Sequence, residues 1–160
     1  MYIQQLKMRI EDILILNADV PLSKSVVVNI LYTSGLIHSE LNRVLKAYDI
    51  SLQQFNVLRI LRGRKGKPAS LSMVQDRMIT KMSNTTRLVD KLIKKELVKK
   101  QLNTTNKRKI DISITAEGLS FLKKIDTLID SKEVDMVNSL TNEETTELIR
   151  LLGKLRLIAD

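Results

Sequence analysis

Hydrophobic residues along the first part of the chain recur at helical spacing. Isoleucine and leucine return every three or four positions over residues 3–16, 25–48 and 51–63, which predicts three helices. The sequence GRKGKP at 63–68 follows the third of them and combines glycine, proline and cationic residues. Such a stretch is typical of a loop, so we expect the chain to turn here.

The pattern changes in the middle of the chain. A short helix fits 71–79, and a second fits 84–96 with Ser83 as its N-cap. Apolar and polar residues then alternate strictly over 109–114, which predicts a half-buried strand, and its expected partner is 97–102. The polar residues between these segments predict a β-hairpin.

Two capping boxes mark the starts of helices. Ser51 is followed three residues later by Gln54, and Thr141 is followed by Glu144. A long helix is expected after Thr115, and the last helix is expected to begin at Thr141. The predicted fold is therefore mainly α with a small β-hairpin wing, because three helices followed by a two-stranded hairpin make a winged helix-turn-helix.

Composition narrows the class of protein. The 160 residues are 43% hydrophobic and 28% charged, as in one globular domain spanning 1–160. The absence of cysteine excludes disulfides and thiol chemistry, and His38, the single histidine, leaves no zinc site with two histidines. No glycine-rich phosphate loop or nucleophile motif is present, so we expect neither an enzyme nor a cofactor or metal. The charged start of the chain and the polar character of 25–39 predict a cytoplasmic protein that does not enter the membrane.

Charge is distributed very unevenly along the chain. Residues 59–110 hold sixteen basic and three acidic side chains, whereas 1–58 are balanced and 111–160 are acidic overall. Concentrated positive charge raises self-repulsion, which a polyanionic partner would offset. Nucleic acid is the first candidate for that partner, and an anionic membrane surface is the second.

The predicted helix at 84–96 separates its residues into two faces. A helical wheel places Leu88, Val89, Leu92 and Ile93 on one arc, and mostly basic residues opposite them. Short polar side chains at its start are suited to base edges or phosphates in a major groove, and the hairpin turn after it is suited to a minor groove. The candidate DNA-binding residues are Ser83, Asn84, Thr85, Thr86, Arg87, Lys91 and Lys95 on the helix, and Lys107 and Arg108 on the wing.

Three segments together resemble the MarR family of bacterial transcription regulators. ISLQQFNVLRIL at 50–61 resembles the second helix of the family. SNTTRLVDKLIKKELV at 83–98 resembles its recognition helix and the start of its wing. KRKIDISITAEG at 107–118 resembles the second wing strand and the turn into the fifth helix. The resemblance runs from about Asn42 to Gly118, roughly half of the chain.

The resemblance implies a sequence-specific regulator that binds double-stranded DNA as a homodimer. Dimerisation helices are expected at 1–48 and 116–160, and the winged helix-turn-helix at 51–115. Many members of the family respond to small, often phenolic, ligands. Tyr32 and His38 are candidates for binding such a small aromatic ligand.

Two positions depart from the family pattern, and one other function stays open. Glu96 stands where the family commonly has glycine, which predicts a different end to the recognition helix because a left-handed non-glycine residue costs about 1 kcal/mol. Asn106 replaces the usual wing aspartate, which leaves the orientation of Arg108 open. The alternative function is a winged-helix module that binds an acidic protein partner through the same basic face.

Overall fold

A computed structural model describes three stretches of the chain. They are residues 20–80, 84–103 and 110–157. The helix predicted over 3–16 and most of the predicted hairpin turn lie outside the described residues. The chain divides into two compact units, Met1–Glu40 and Leu41–Asp160.

The described residues form a mainly helical chain with a small sheet, which confirms the predicted fold class. In chain order the elements are α1 (Leu22–Lys46), α2 (Leu52–Gly63), β1 (Ala69–Ser70), α3 (Leu71–Arg77), α4 (Thr85–Lys94), β2 (Val98–Leu102), β3 (Ile110–Ile114), α5 (Ala116–Val137) and α6 (Asn142–Arg156). Within the described stretches, every predicted helix and strand is present, with ends that differ by a few residues.

Both predicted capping boxes are confirmed. At the start of α2 the Gln54 backbone N–H donates to Ser51 Oγ at 3.2 Å, and the Ser51 N–H donates to Gln54 Oε1 at 2.9 Å. Thr141 and Glu144 make the same reciprocal pair before α6, at 3.2 and 2.8 Å. Each pair satisfies two backbone N–H groups at its helix start, since the first turn has no partner for them within the helix.

The sheet has one strand more than predicted. Its order is β1-β3-β2, with both neighbouring pairs antiparallel. The hairpin partner of β3 is β2 as expected, with Lys100 opposite Ile112. On the other edge Ala69 lies opposite Ile112, and Ser70 lies opposite Asp111. A strand of two residues is too short to show an alternating pattern, so the sequence gives no signal for β1.

The hydrophobic core lies within the unit Leu41–Asp160. It draws on the end of α1, on α2 to α5 and on the sheet. Side chains exposed by no more than 2% include Leu45, Phe55, Val57, Leu58, Leu61, Ala69, Val74, Met78, Val89, Leu92, Val98, Ile112, Leu122, Ile125 and Ile129. The alternation predicted for β3 holds only in part, because Ile112 is fully buried while Ile110 is 45% exposed.

The helix α4 begins one residue later than predicted. It is followed by a left-handed residue, which is the conformation expected where the MarR family commonly has glycine. Its N-cap is Asn84, so the prediction that Ser83 caps it is wrong; the carboxamide oxygen of Asn84 accepts the Arg87 N–H at 3.1 Å. Glu96 takes a left-handed φ of 60°, and the Leu97 N–H donates to the Leu92 carbonyl at 3.1 Å. The prediction of a different helix end is therefore also wrong, since Glu96 adopts the conformation that usually selects glycine.

Among the helices that the structure describes, none is both long and apolar enough to cross a membrane.

Candidate nucleic-acid interface

The two faces predicted for α4 are present in the structure. Val89 and Leu92 are fully buried, and Leu88 and Ile93 pack against the core beside them. The opposite face carries exposed polar and cationic side chains. They are Asn84, Thr86, Arg87, Lys91 and Lys94. A helix held by its apolar stripe thus presents a mostly basic surface to solvent.

Thr85 lies on the inner side of the helix start. Its side chain is only 5% exposed, and its hydroxyl donates to Gln75 Oε1 on α3. A buried hydroxyl with a protein acceptor does not fit the predicted contact with DNA. We therefore correct that prediction and remove Thr85 from the candidate interface.

Two of the cations near α4 are paired with acidic side chains. Lys95, half-buried at the C-cap, contacts the carboxylate of Asp49, which lies in the turn between α1 and α2. Lys100 on β2 contacts Asp90 Oδ1 at 2.5 Å. The hydrogen bond and charge of Lys95, followed by the charge of Lys91, hold the pKa of the Asp49 carboxyl below its ordinary value.

A small open cleft separates α3 from the start of α4. It has a volume of about 280 Å³ and is lined by Leu71, Ser72, Gln75, Asn84, Thr85 and Thr86. Sequence reasoning missed Ser72 and Gln75 because the signal for them is weak. In the sequence they are recognisable only as polar residues on the short helix α3, which precedes the basic helix α4.

The wing is described in its two strands and not in most of its turn. Lys99 and Lys100 are exposed on β2, and the Asn103 side-chain amide donates to Asp111 Oδ2 at 2.8 Å at the end of the strands next to the turn. Lys107 and Arg108 lie outside the described residues, as do Asn106 and, before α4, Ser83. Their predicted roles stay predictions.

The two candidates for ligand binding do not share a face of α1. Tyr32 is half-buried and His38 is exposed. Six helical residues separate them by about 120° around the helix and roughly 9 Å along it. Within the described ranges, no group of three or more His, Asp or Glu side chains could hold a metal ion.

Comparisons with known proteins agree with this geometry. The sequence profile of the MarR family matches residues 50–110. The chain is 30% identical over 125 residues to the HTH-type transcriptional regulator PecS of Dickeya dadantii, covering 76% of this chain and 74% of PecS.

Solved structures of similar fold include two regulators with bound partners. One is a mutant MarR from E. coli complexed with operator DNA, with a TM-score of 0.70, 24% identity and coverage of 79% of this chain and 89% of that one. The other is the organohalide-sensing RdhR regulator in its 2,4-dichlorophenol-bound form, with a TM-score of 0.78, 22% identity and coverage of 86% and 81%. Both likenesses show a common fold. The matched profile and the PecS relationship establish that this chain belongs to the MarR family and is a transcription regulator of that type, not an enzyme.

Proposed function

We propose that the chain binds double-stranded DNA in a sequence-specific manner by inserting the start of α4 into the major groove. The observation that carries this proposal is the placement of Arg87 and Lys91 on the exposed face of a helix whose opposite face, with Val89 and Leu92, is fully buried. A helix held in this way presents a rigid edge that fits the width of the major groove.

The polar residues along α4 and at its two caps have different roles in this proposal. Asn84, Thr86 and Arg87 stand at the helix start, where side chains reach base edges and nearby phosphates. Lys91 and Lys95 lie further along and hold the DNA backbone, and Lys95 exchanges its contact with Asp49 for one with a phosphate. The partial positive charge at a helix start adds to the attraction for phosphate.

The wing completes the proposed interface. Lys107 and Arg108 follow β2 in the sequence, in the segment that joins the two long strands of the sheet. An arginine at the tip of a hairpin beside a groove-reading helix is attracted to the negative potential of the adjacent minor groove.

A homodimer is part of the same proposal, with 1–48 and 116–160 as the dimerisation segments. Of the side chains that the structure describes in α6, none is buried, although the helix is amphipathic. Large apolar side chains exposed by more than 40% on α5 and α6 include Leu128, Val134, Val137, Leu148, Ile149, Leu151 and Leu155. Since an apolar helix face normally packs against another element, a second copy of the chain is the partner that we propose for it.

The dimer is tested by light scattering on purified protein. Ile149→Glu places a charge on the exposed apolar face of α6 and is expected to shift the protein toward monomer. Leu102→Glu makes the same kind of change at a 65% exposed leucine on β2 and should leave the mass unchanged. A wild-type protein that is monomeric at micromolar concentration would contradict the proposal.

DNA recognition is tested by selecting duplexes from a random pool and measuring binding by gel shift. Arg87→Ala should weaken binding to the selected duplex by about 1–3 kcal/mol and relax the preference at one base pair. Arg156→Ala removes the same charge from the last turn of α6 and serves as the matched control. Retention on heparin without selection of any duplex would instead favour the module that binds an acidic protein.

Response to a small aromatic ligand is a further part of the proposal. Its support is the family membership, together with the 2,4-dichlorophenol-bound form of the RdhR neighbour. The experiment is a melting curve of the protein with and without 2,4-dichlorophenol, followed by gel shift at the same concentrations. A ligand that binds the folded state raises the melting temperature in proportion to its affinity. Unchanged melting and unchanged DNA binding would speak against this phenol as an effector.

A further inference from the structure

The start of α4 is held differently from the rest of the helix. From Leu88 onward, apolar side chains on its inner face pack against the core, and Val89 and Leu92 are fully buried. Across the described residues 84–88, Thr85 alone is buried. The first turn, which carries the side chains proposed to read DNA, is therefore joined to the interior through a polar group.

The partner of Thr85 is itself on a well-anchored helix. Gln75 belongs to α3, which is anchored in the core by Val74 and by Met78 at its C-cap, with exposures of 0% and 2%. The Thr85 hydroxyl donates to the Gln75 carboxamide oxygen. Both residues line the cleft between α3 and α4, next to Asn84 and Thr86.

The hydrogen bond between Thr85 and Gln75 differs from apolar packing because its strength depends on direction. Burial of apolar surface is non-directional, whereas a hydrogen bond weakens steeply when its angle departs from linearity. A buried hydroxyl without its partner is also unfavourable, so the first turn is more stable where Thr85 reaches Gln75. This bond thus adds a directional restraint on the first turn and on its distance from α3, beside the apolar packing that holds the rest of the helix.

We propose that Thr85 and Gln75 are positioning residues for DNA recognition, which set the direction in which Asn84, Thr86 and Arg87 face the duplex. This inference rests on the proposed function, because it assigns a role within the same interface. Neither residue is required to touch a base. Their contribution is to discrimination between DNA sequences rather than to general attraction for DNA.

The test compares single and double variants. Thr85→Val keeps the shape of the side chain and removes the donor, and Gln75→Met keeps its length and removes the acceptor. Thr146→Val makes the same threonine change at an exposed position on the polar face of α6, opposite Leu148 and Leu155, and serves as the matched control. Its hydroxyl donates to the Asn142 carbonyl at 2.8 Å. The readout is the ratio of affinities for the selected duplex and a scrambled duplex, measured beside urea unfolding of each variant.

Each single variant should reduce the affinity ratio by about tenfold, as expected from one lost hydrogen bond. The double variant should lose no more than either single variant, since all three lack the same bond. Its stability should nevertheless return toward that of the wild type, because it removes the acceptor and the donor of this bond together, and the Thr85 position then holds no unpaired hydroxyl. Recovery of stability without recovery of discrimination is the result that a purely structural role would not produce.

Several outcomes would overturn the inference. They are an unchanged affinity ratio in the single variants, additive losses in the double variant, or discrimination restored together with stability. If Thr85→Val does not fold, Thr85→Ser retains the hydroxyl and should retain the wild-type ratio, so its loss would also overturn the inference. A wild-type protein that selects no duplex would instead refute the proposed function, which is a separate result.

Discussion

Thr115 Oγ donates a 2.7 Å hydrogen bond to the backbone carbonyl of Glu96, and thereby joins the end of α4 to the start of α5. The same hydroxyl accepts the Gly118 N–H at 2.9 Å as the N-cap of α5. The Thr115 N–H donates in turn to the Leu97 carbonyl at 3.1 Å. The hydrogen bonds of Thr115 therefore link the end of the proposed recognition helix to the start of the proposed dimerisation helix.

The left-handed conformation of Glu96, at this link between α4 and α5, gives the first prediction. Glu96 has a φ of 60°, a conformation that costs a non-glycine residue about 1 kcal/mol. We expect Glu96→Gly to raise the free energy of unfolding by about 1 kcal/mol, measured by urea unfolding at fixed protein concentration. Glu96→Ala removes the charge but keeps the left-handed strain, so it should give no comparable gain. Equal stabilisation by both variants would show that charge, not conformation, is responsible.

The close approach at Gly118 gives the second prediction. A Cβ at this position would lie 2.2 Å from the Leu97 backbone oxygen, so the chain must shift to accept alanine. We expect Gly118→Ala to lower the free energy of unfolding by about 3 kcal/mol. Gly63→Ala is the control, since an added Cβ there meets nothing within 4 Å at the end of α2. A similar unfolding midpoint for the Gly118 variant and the wild type would contradict the close packing.

The ion pair between Asp49 and Lys95 gives a prediction on pH. Lys95 holds the pKa of Asp49 below its ordinary value of 3.8, mainly through the hydrogen bond and then through its charge. Because the folded-state pKa is the lower one, the pair stabilises the fold above about pH 3.8, and this contribution is lost as the pH falls through the lowered pKa. An NMR titration of the Asp49 carboxyl should show a midpoint below 3.8 that rises toward 3.8 in Lys95→Ala. No difference between the two proteins would mean that the pair does not form in solution.

The salt dependence of DNA binding gives the fourth prediction. Lys95→Ala should weaken binding to all duplexes by a similar factor and flatten the slope of log affinity against log salt by about one unit, as for one lost phosphate contact. Lys123→Ala removes an exposed charge from α5 and should leave the slope unchanged. A loss confined to one duplex sequence would instead assign Lys95 to base readout.

Much of the fold is readable from local signals. Each of the reciprocal pairs Ser51–Gln54 and Thr141–Glu144 lies within four consecutive residues, and both form as predicted. The apolar stripe of α4 follows from helical geometry alone, so the exposure of Arg87 and Lys91 could be predicted before any tertiary contact was known.

Residues close together in the chain were enough to predict the order of the helices and of the hairpin strands, the basic middle block and the face of α4 that carries the positive charge. Three contacts follow from the packed fold and from no local signal: the pairing of Ala69 with Ile112, the bond from Thr85 to Gln75, and the ion pair of Asp49 with Lys95. Each of these contacts joins residues ten to forty-six positions apart. Periodicity and capping rules carry no information on which distant groups the packed core brings together. The inward placement of Thr85 is different, because helical spacing puts it on the same face as the buried Val89, four residues later. Thr85 was included among the candidate DNA contacts for its residue type, and not for its place on the helix.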